Sequence, residues 1–279
     1  MDTVKANAGI KVSIITINYN NDRGLEETMK SVFSQTFRDY EYIIIDGGST
    51  DGSREMIRQS SDKLHYWVSE KDGGVYNAMN KGIAKASGEY CYFLNSGDYL
   101  WSADVLEKVF AMSSGEDIVY GNMIHGRSET VEHGLKDVTF FDFFTGSIYH
   151  QSAFIKTSLF QTVGPYNESL KVVSDWEFFI KAIFLHHCSL KYVNVDVALY
   201  EVGGLSFQNL ENNLKERQQV LDKYFKRYLK DYEDYKKYRK SELAGVYKFM
   251  AGSRGVKALL GSVLKASRFI RFGILRRKR

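Results

Sequence analysis

Residues 88–100 read Gly-Glu-Tyr-Cys-Tyr-Phe-Leu-Asn-Ser-Gly-Asp-Tyr-Leu, and the prediction of the fold starts from this stretch. The run from Tyr90 to Leu94 is apolar and aromatic, which is typical of a strand buried inside a parallel sheet. Asn95 to Asp98 then end the strand with turn-forming residues. Asp98 therefore follows the carboxyl end of a central strand, where open α/β sheets bind ligands. Its carboxylate suits Mg²⁺ or Mn²⁺, although an Asp here can also serve only as a turn residue.

Strands and short helices alternate over the first hundred residues. Predicted strands span 11–17, 40–45, 64–68 and 90–94, and predicted helices span 25–33, 53–60 and 75–86. This alternation predicts an α/β fold with a mostly parallel central sheet and helices on both faces. The chain has neither Gly-x-Gly-x-x-Gly nor Gly-x-x-x-x-Gly-Lys-Ser/Thr, so the charge of a bound diphosphate would be met mostly by a metal and scattered basic groups.

Polar residues follow four successive predicted strands. They are Tyr19 and Asn20, Asp46 and Ser49, Asp72, and Asp98. Each of them taken singly is explained by a turn or a helix cap. Because the carboxyl ends of parallel strands share one edge of a sheet, the four loops together predict a cleft that holds a nucleotide.

The second half of the chain is less regular. Further strands are predicted at 117–123 and 191–199, and further helices at 103–112 and from 174 onwards. The polar segment 126–137 predicts a hairpin or a mobile loop. Residues 140–144 read Phe-Phe-Asp-Phe-Phe, a cluster that favours core packing and leaves a sugar-stacking wall as the alternative. His150 lies on an apolar strand, where it is either a structural residue or part of a pocket.

Five ordered motifs resemble the opening of the family 2 glycosyltransferases. They are Val12 to Asn20, Ser31 to Thr36, Ile45 to Ser53, Ser69 to Gly82, and Phe93 to Asp98. The resemblance covers roughly residues 11–206 and implies the GT-A fold within a domain of residues 1–206. In that fold about residues 11–100 form the nucleotide-sugar-binding half, and about residues 101–206 form the acceptor half.

The resemblance also implies a nucleotide site. Tyr19 would stack on the base, Asp46 would hydrogen-bond the base, and Asp72 would lie near the base and the ribose. Thr16 and Asn18 are assigned to the same site.

A metal site is implied in the loop after the central strand. Asp98 matches the metal-binding end of the family's Asp-x-Asp element. Asn95 and Gly97 stand where many members carry acids, so weaker metal binding and a less strict dependence on Mg²⁺ or Mn²⁺ are expected. Asn95 can still hydrogen-bond a ribose hydroxyl.

The helix that starts near residue 174 carries the predicted catalytic base. Ser174 or Asp175 is a natural helix cap with Glu177 in the first turn, and this is the structural alternative. By the resemblance, Asp175 is the general base, since a carboxylate can accept the proton of an attacking sugar hydroxyl. The predicted acceptor pocket contains His150, Gln151, Trp176 and Glu177.

The predicted function is that of an inverting glycosyltransferase in cell-surface polysaccharide biosynthesis. The donor is a nucleoside-diphosphate sugar, most simply a UDP-sugar, and the acceptor is a hydroxyl of a glycan or a lipid-linked sugar. A non-catalytic nucleotide- or carbohydrate-binding protein on the same fold is the alternative, and Asn95 and Gly97 are its best support. A nucleotidyltransferase is disfavoured because Arg23 is the one basic residue of the first loop.

The end of the chain differs in charge from the rest. A charged helical region is predicted at 207–243, followed by a basic amphipathic tail at 244–279. Residues 243–279 carry ten Lys or Arg and no acid, so the net charge of +4 leaves 4 − 10 = −6 for residues 1–242. The tail predicts binding to a membrane surface, with docking on the acidic body as the alternative, and nucleic acid is disfavoured. With two isolated cysteines, Cys91 and Cys188, and neither a signal peptide nor a membrane span recognised, a cytoplasmic protein at the inner membrane face is expected.

Overall fold

The structure is a computed structural model that describes residues 10–126, 129–200 and 209–240. Its strands are β1 (Val12–Asn18), β2 (Tyr40–Asp46), β3 (Tyr66–Ser69), β4 (Tyr90–Phe93), β5 (Tyr99–Leu100), β6 (Ile118–His125), β7 (Thr130–Glu132), β8 (Ala153–Lys156) and β9 (Leu190–Tyr200). Its helices are α1 (Asp22–Phe33), α2 (Ser53–Gln59), α3 (Val75–Ile83), α4 (Val105–Met112), α5 (Phe140–Thr145), α6 (Leu159–Thr162), α7 (Ser174–Phe184), α8 (Leu210–Tyr224) and α9 (Lys226–Lys240). The chain divides into two compact units, residues 1–220 and 221–279.

The described strands form one sheet in the order β3-β2-β1-β4-β8-β6-β9-β5, with β7 paired to β6. The block β3-β2-β1-β4 is parallel. In its register Asn18 lies opposite Asp46, and Asp46 lies opposite Ser69, so the carboxyl ends of three strands are level. The loops that follow these strands therefore emerge side by side at one edge of the sheet.

The second half of the sheet has mixed strand directions. Strand β8 is antiparallel to both β4 and β6, whereas β9 runs parallel to β6 and antiparallel to β5. Strands β6 and β7 form an antiparallel pair. Of the two predictions for segment 126–137, a hairpin or a mobile loop, the hairpin is therefore confirmed for the part that contains β7.

Helices cover both faces of the sheet, as predicted. On one face Leu25 of α1, Ile57 of α2 and Leu106 of α4 belong to a single buried cluster with Ile14 and Tyr92 of the strands. On the other face Phe93 of β4 contacts Phe160 of α6, which stacks on Phe178 of α7. The strands are apolar on both sides because both sides are buried.

The structure adds detail to two predicted segments. Within the predicted charged helical region at 207–243, the structure has two helices, which end and begin on either side of Phe225. The aromatic cluster at 140–144 is a short helix with a capping box between Thr139 and Asp142, and its Phe143 is fully buried. This burial favours the core-packing interpretation of the cluster over the sugar-stacking wall.

Cys91 and Cys188 are both free thiols. Within the described ranges, no helix has the length and the apolar character needed to cross a membrane. The predicted basic tail at 244–279 lies outside the described residues.

Candidate functional site

A cleft of about 990 Å³ opens at the carboxyl edge of β1, β2, β3 and β4. Most of the predicted site residues line it, namely Asn18, Tyr19, Asp72, Asn95, Asp98, His150, Gln151 and Asp175. A cavity of this size is large enough for a nucleotide sugar. Residues from both predicted halves of the domain meet here, so the donor-side and acceptor-side residues share one cleft.

Tyr19, Gly47 and Asp72 line one end of the cleft. Tyr19 is 67% exposed, and its ring lies beside the bare backbone of Gly47. A Cβ added to Gly47 would lie 2.7 Å from the Asp72 carboxylate and 3.3 Å from the Tyr19 ring. Glycine is therefore required here for the close approach of these two side chains. The exposed Tyr19 ring and the Asp72 carboxylate both lie beside the Gly47 backbone, and this arrangement suits a planar base with N–H donors.

Asp46 lies beneath the cleft and does not line it. Its side chain is 0% exposed and accepts hydrogen bonds from Asn18, Ser49 and Ser69. Burial alone would raise the pKa of Asp46, but these hydrogen bonds outweigh burial and lower it. The carboxylate thus ties the ends of three strands together and orients Asn18. It has no exposed oxygen for the base contact that the sequence prediction assigned to it.

Three other predicted site residues are also turned away from the cleft. The Thr16 hydroxyl donates to the Leu94 carbonyl inside the sheet. The Trp176 indole donates to the carbonyls of Phe143 and Gly146. Trp176 and Glu177 are buried because residues that follow Asp175 on a helix point about 100° and 200° away from it. The assignments of Thr16 to the nucleotide site, and of Trp176 and Glu177 to the acceptor pocket, are therefore not supported by this geometry.

Hydrogen bonds hold the loop after β4 against helix α1. Gly97 has φ of +101°, a conformation that favours glycine, and its amide donates to the Thr28 hydroxyl. That hydroxyl donates in turn to the carbonyl of Asp98. Asp98 is 6% exposed and lines the cleft. The Asn95 Oδ1 atom is buried without a hydrogen-bond partner among the described residues, so Asn95 has accepting capacity to spare.

Asp175 is the second residue of α7 and lies across the cleft from the β4 loop. Its Oδ1 accepts a hydrogen bond of 3.0 Å from the Tyr76 hydroxyl, and its Oδ2 lies 2.9 Å from His150 Nδ1. The side chain keeps 20% exposure. Burial alone would raise the pKa of Asp175, but the hydrogen bonds from His150 and Tyr76 lower it. Asp175 is therefore an ionised carboxylate in contact with the cleft.

The capping alternative for Asp175 is wrong. The N-cap position of α7 is Val173, and no side chain caps this helix end. The Ser174 hydroxyl instead accepts from the backbone amide of Asn167. The Asp175 carboxylate is therefore free of the structural task that the alternative gave it.

Several cleft residues were missed by the sequence prediction. Lys71 and Lys171 line the cleft and bring positive charge to it. Tyr76, which contacts Asp175, has helical spacing with other apolar residues of α3 and therefore looks like a core residue in the sequence. Lys71 stands next to the predicted Asp72 in Glu-Lys-Asp, so a search for basic groups beside that motif could have found it.

Helix α8 supports the acceptor side from outside the motifs. Glu216 is buried, and its carboxylate accepts from the backbone amides of Lys171, Val172 and Val173, directly before α7. Arg217 lies 4.8 Å over the Trp176 ring. These contacts fix the segment that carries Asp175. No sequence pattern indicates them, because they join residues about 45 positions apart.

Gly47 offers a test of the base end of the cleft. We expect Gly47→Ala to weaken UDP binding about tenfold or more, because the added methyl group would displace the Asp72 carboxylate and crowd the Tyr19 ring. Gly73→Ala is the matched control, since a Cβ there meets Asn77 only at an ordinary 3.4 Å. Calorimetric titration measures both. Equal binding by Gly47→Ala and Gly73→Ala would contradict the assignment of the base end.

Comparisons with known proteins identify relatives of this chain. The family described as "Glycosyl transferase family 2" matches residues 13–165. The "PGL/p-HBAD biosynthesis glycosyltransferase" of Mycobacterium bovis is 35% identical over 201 residues, which cover 70% of this chain and 78% of that protein. An uncharacterized glycosyltransferase of Mycobacterium tuberculosis is 37% identical over 180 residues, which cover 61% of this chain and 68% of that protein.

Two solved structures are similar in fold. TarS 1-349 of S. aureus in complex with UDP-GlcNAc has a TM-score of 0.61 and 20% identity, covering 71% of this chain and 61% of that chain. The mannosyltransferase PcManGT of Pyrobaculum calidifontis in complex with GDP-Man and Mn²⁺ has a TM-score of 0.61 and 16% identity, covering 94% and 81%. At 20% and 16% identity, these similarities show the fold alone.

Proposed function

The chain belongs to glycosyl transferase family 2 and is a glycosyltransferase with a GT-A fold. From this premise we propose that it is an inverting enzyme, which transfers a sugar from a UDP-sugar to a hydroxyl of a glycan or lipid-linked acceptor. The predictions of the family, the fold class and the enzyme class are thereby confirmed. The observation that carries the proposal is that Asp98 and Asp175 line the same cleft. Asp98 suits the diphosphate side of a donor, and Asp175 suits the acceptor side.

The proposed donor site lies at the end of the cleft that Tyr19, Gly47 and Asp72 line. Tyr19 would stack on the base, and Asp72 would accept its N–H groups, with the bare backbone of Gly47 between them. Asn95, which lines the cleft, would hydrogen-bond a ribose hydroxyl. The solved structures with UDP-GlcNAc and GDP-Man support a nucleoside-diphosphate sugar as the class of donor.

The donor set at Asp98 fits a divalent cation that is shared with a substrate. Within the described ranges, no three His, Cys, Asp or Glu side chains converge into a metal-binding group. A cation at Asp98 would thus take its remaining ligands from the diphosphate and water, as Mg²⁺ and Mn²⁺ do with nucleotides. When bound, the metal supplies charge stabilisation of the leaving diphosphate. PcManGT, whose complex holds Mn²⁺, supports this choice of ion.

Asp175 carries the proposed chemistry. The acceptor hydroxyl would attack the anomeric carbon while its proton passes to the Asp175 carboxylate. The new C–O bond forms as the bond to the diphosphate breaks, so the configuration at the anomeric carbon inverts in one step. No covalent intermediate on the protein is required. The lowered pKa of Asp175 keeps this carboxylate ionised, and therefore able to accept the proton, at neutral pH.

We also propose that the tail at 244–279 holds the enzyme at the inner face of a membrane. Ten basic residues without an acid between 243 and 279 support this, because such a segment is attracted to anionic lipid headgroups. The enzyme would then be held beside a lipid-linked acceptor.

Calorimetric titration with UDP and with GDP, each with and without Mn²⁺, tests the donor class. We expect UDP to bind more tightly than GDP and Mn²⁺ to strengthen that binding. If neither nucleotide binds under any of the four conditions, the donor assignment is wrong and the non-catalytic alternative is favoured. Tighter binding of GDP would keep the enzyme class and replace the proposed donor.

A further inference from the structure

Resting on the proposed function, we propose that Tyr76 and His150 are positioning residues that grip the two oxygens of Asp175, and that Asn95 sets the tautomer of His150 needed for this grip. The four side chains form one hydrogen-bonded row across the cleft. The row starts in the donor loop after β4 and ends in helix α3. It therefore joins the donor side of the site to the proposed base.

The grip on Asp175 comes from two separate elements. Tyr76 of α3 donates to Oδ1 over 3.0 Å, and His150 of the 3₁₀ turn His150–Ser152 meets Oδ2 over 2.9 Å. Because each carboxylate oxygen has its own partner, rotation of the carboxyl plane would break at least one hydrogen bond. Burial raises the pKa of Tyr76 well above its usual value, so its hydroxyl stays protonated and donates.

The direction of the hydrogen bonds follows from what each group can do. An ionised carboxylate only accepts, so His150 Nδ1 must carry a proton. Nε2 of the same ring lies 3.2 Å from the Asn95 amide nitrogen, which only donates. Nε2 is then the acceptor, and Nδ1 carries the proton that faces Asp175. A carboxylate at position 95 could not donate to Nε2, so an amide here matches the tautomer that Asp175 requires.

Four titratable side chains of the described residues act on Asp175. They are Tyr76, His150, the buried and protonated Tyr166, and the Arg217 cation of α8. The hydrogen bond from His150 is the largest of the influences that lower the pKa of Asp175, and the hydrogen bond from Tyr76 acts in the same direction. Removing either donor therefore raises this pKa. Since transfer requires an ionised Asp175, the acid limb of the rate profile must move to higher pH.

The substrate is whichever of UDP-glucose, UDP-galactose and UDP-N-acetylglucosamine the wild type hydrolyses fastest, with water as the acceptor. The test is the pH profile of UDP release from that substrate. We expect His150→Phe to lower kcat roughly 10- to 100-fold and to move the acid limb to higher pH. His150→Asn, whose amide can occupy the place of Nδ1–H, should recover part of the rate. Tyr76→Phe should move the acid limb in the same direction by less.

Matched controls separate positioning from a general loss of structure. His125→Phe removes another His–carboxylate pair, with Glu132, outside the cleft, and Tyr90→Phe removes another buried hydroxyl, which donates to the Glu116 carbonyl. Both controls should keep the wild-type profile. The thermal unfolding midpoint of each variant identifies one that has lost its fold, in which case Tyr76→Phe carries the test alone.

Two failures can be told apart. A wild type that binds no nucleotide and releases no UDP overturns the proposed function together with this inference. A wild type that turns over, with an inactive Asp175→Asn variant but an unshifted acid limb in both His150→Phe and Tyr76→Phe, overturns this inference alone. An Asn95→Asp variant with unchanged kcat would overturn the assigned role of Asn95.

Discussion

Asp175→Asn should lower the rate of sugar transfer by about 10²- to 10⁴-fold, the range that a general base contributes. The amide has the shape of the carboxylate but cannot accept the proton of the attacking hydroxyl. His150 and Tyr76 would still flank the side chain, so the fold and the donor site should be retained. UDP binding, measured by calorimetry, should therefore stay within a few-fold of the wild type while kcat falls.

Asp104→Asn is the control for this experiment. Asp104 precedes α4 and forms an exposed ion pair with Lys108, and it does not line the cleft. This variant should transfer sugar at the wild-type rate. A normal rate for Asp175→Asn would show that another group takes the proton, and the assignment of the base would have to be abandoned.

Asp98→Ala should remove the effect of Mn²⁺ on UDP binding and lower kcat by about 10²- to 10³-fold. The size follows from the several kcal/mol of charge stabilisation that a catalytic metal supplies, at about 1.4 kcal/mol for each tenfold in rate. Titration with UDP in the presence and absence of Mn²⁺ measures the first effect. In this variant the two titrations should give the same affinity, set by Tyr19 and Asp72 at the other end of the cleft.

Asp62→Asn is the matched control, because Asp62 is an exposed acid of the turn Ser61–Lys63 away from the cleft. Its UDP binding should respond to Mn²⁺ as the wild type does. If Asp98→Ala keeps the full response to Mn²⁺, the cation is bound elsewhere and Asp98 is only a turn residue. If the wild type shows no response at all, transfer in this chain proceeds without the metal that the family resemblance implies.

The donor half of the fold was predictable from the sequence because its information is local. Each apolar run is a strand, each polar loop follows it, and parallel pairing levels the strand ends at Asn18, Asp46 and Ser69. Any residue that ends such a strand must lie near the cleft edge. This is why Tyr19, Asp72 and Asp98 were found without a structure.

Side-chain direction was not predictable from the same pattern. Asp46 ends a strand as Asn18 does, yet its carboxylate turns inward because Ser49 and Ser69 supply donors there. Trp176 follows Asp175 in the chain but lies on the buried side of the helix. A motif specifies which residues are near the edge, and the packing decides which of them face the ligand.

The acceptor half depends on contacts between distant segments. Strand β8 inserts between β4 and β6, and Glu216 holds the amides before α7 from some 45 residues away. Tyr76 reaches Asp175 across 99 positions of sequence. Periodicity in a short window carries no signal of such pairs, which is why the grip on the proposed base became visible only in the folded chain.

The most direct test of the central claim is the configuration of the first sugar released when the enzyme hydrolyses a UDP-α-sugar, followed by proton NMR before mutarotation. A single displacement assisted by Asp175 predicts that the β anomer is released first, at a rate strongly reduced in Asp175→Asn and unchanged in Asp104→Asn. Release of the α anomer first would contradict the account, because it requires either a covalent intermediate or a different attacking geometry.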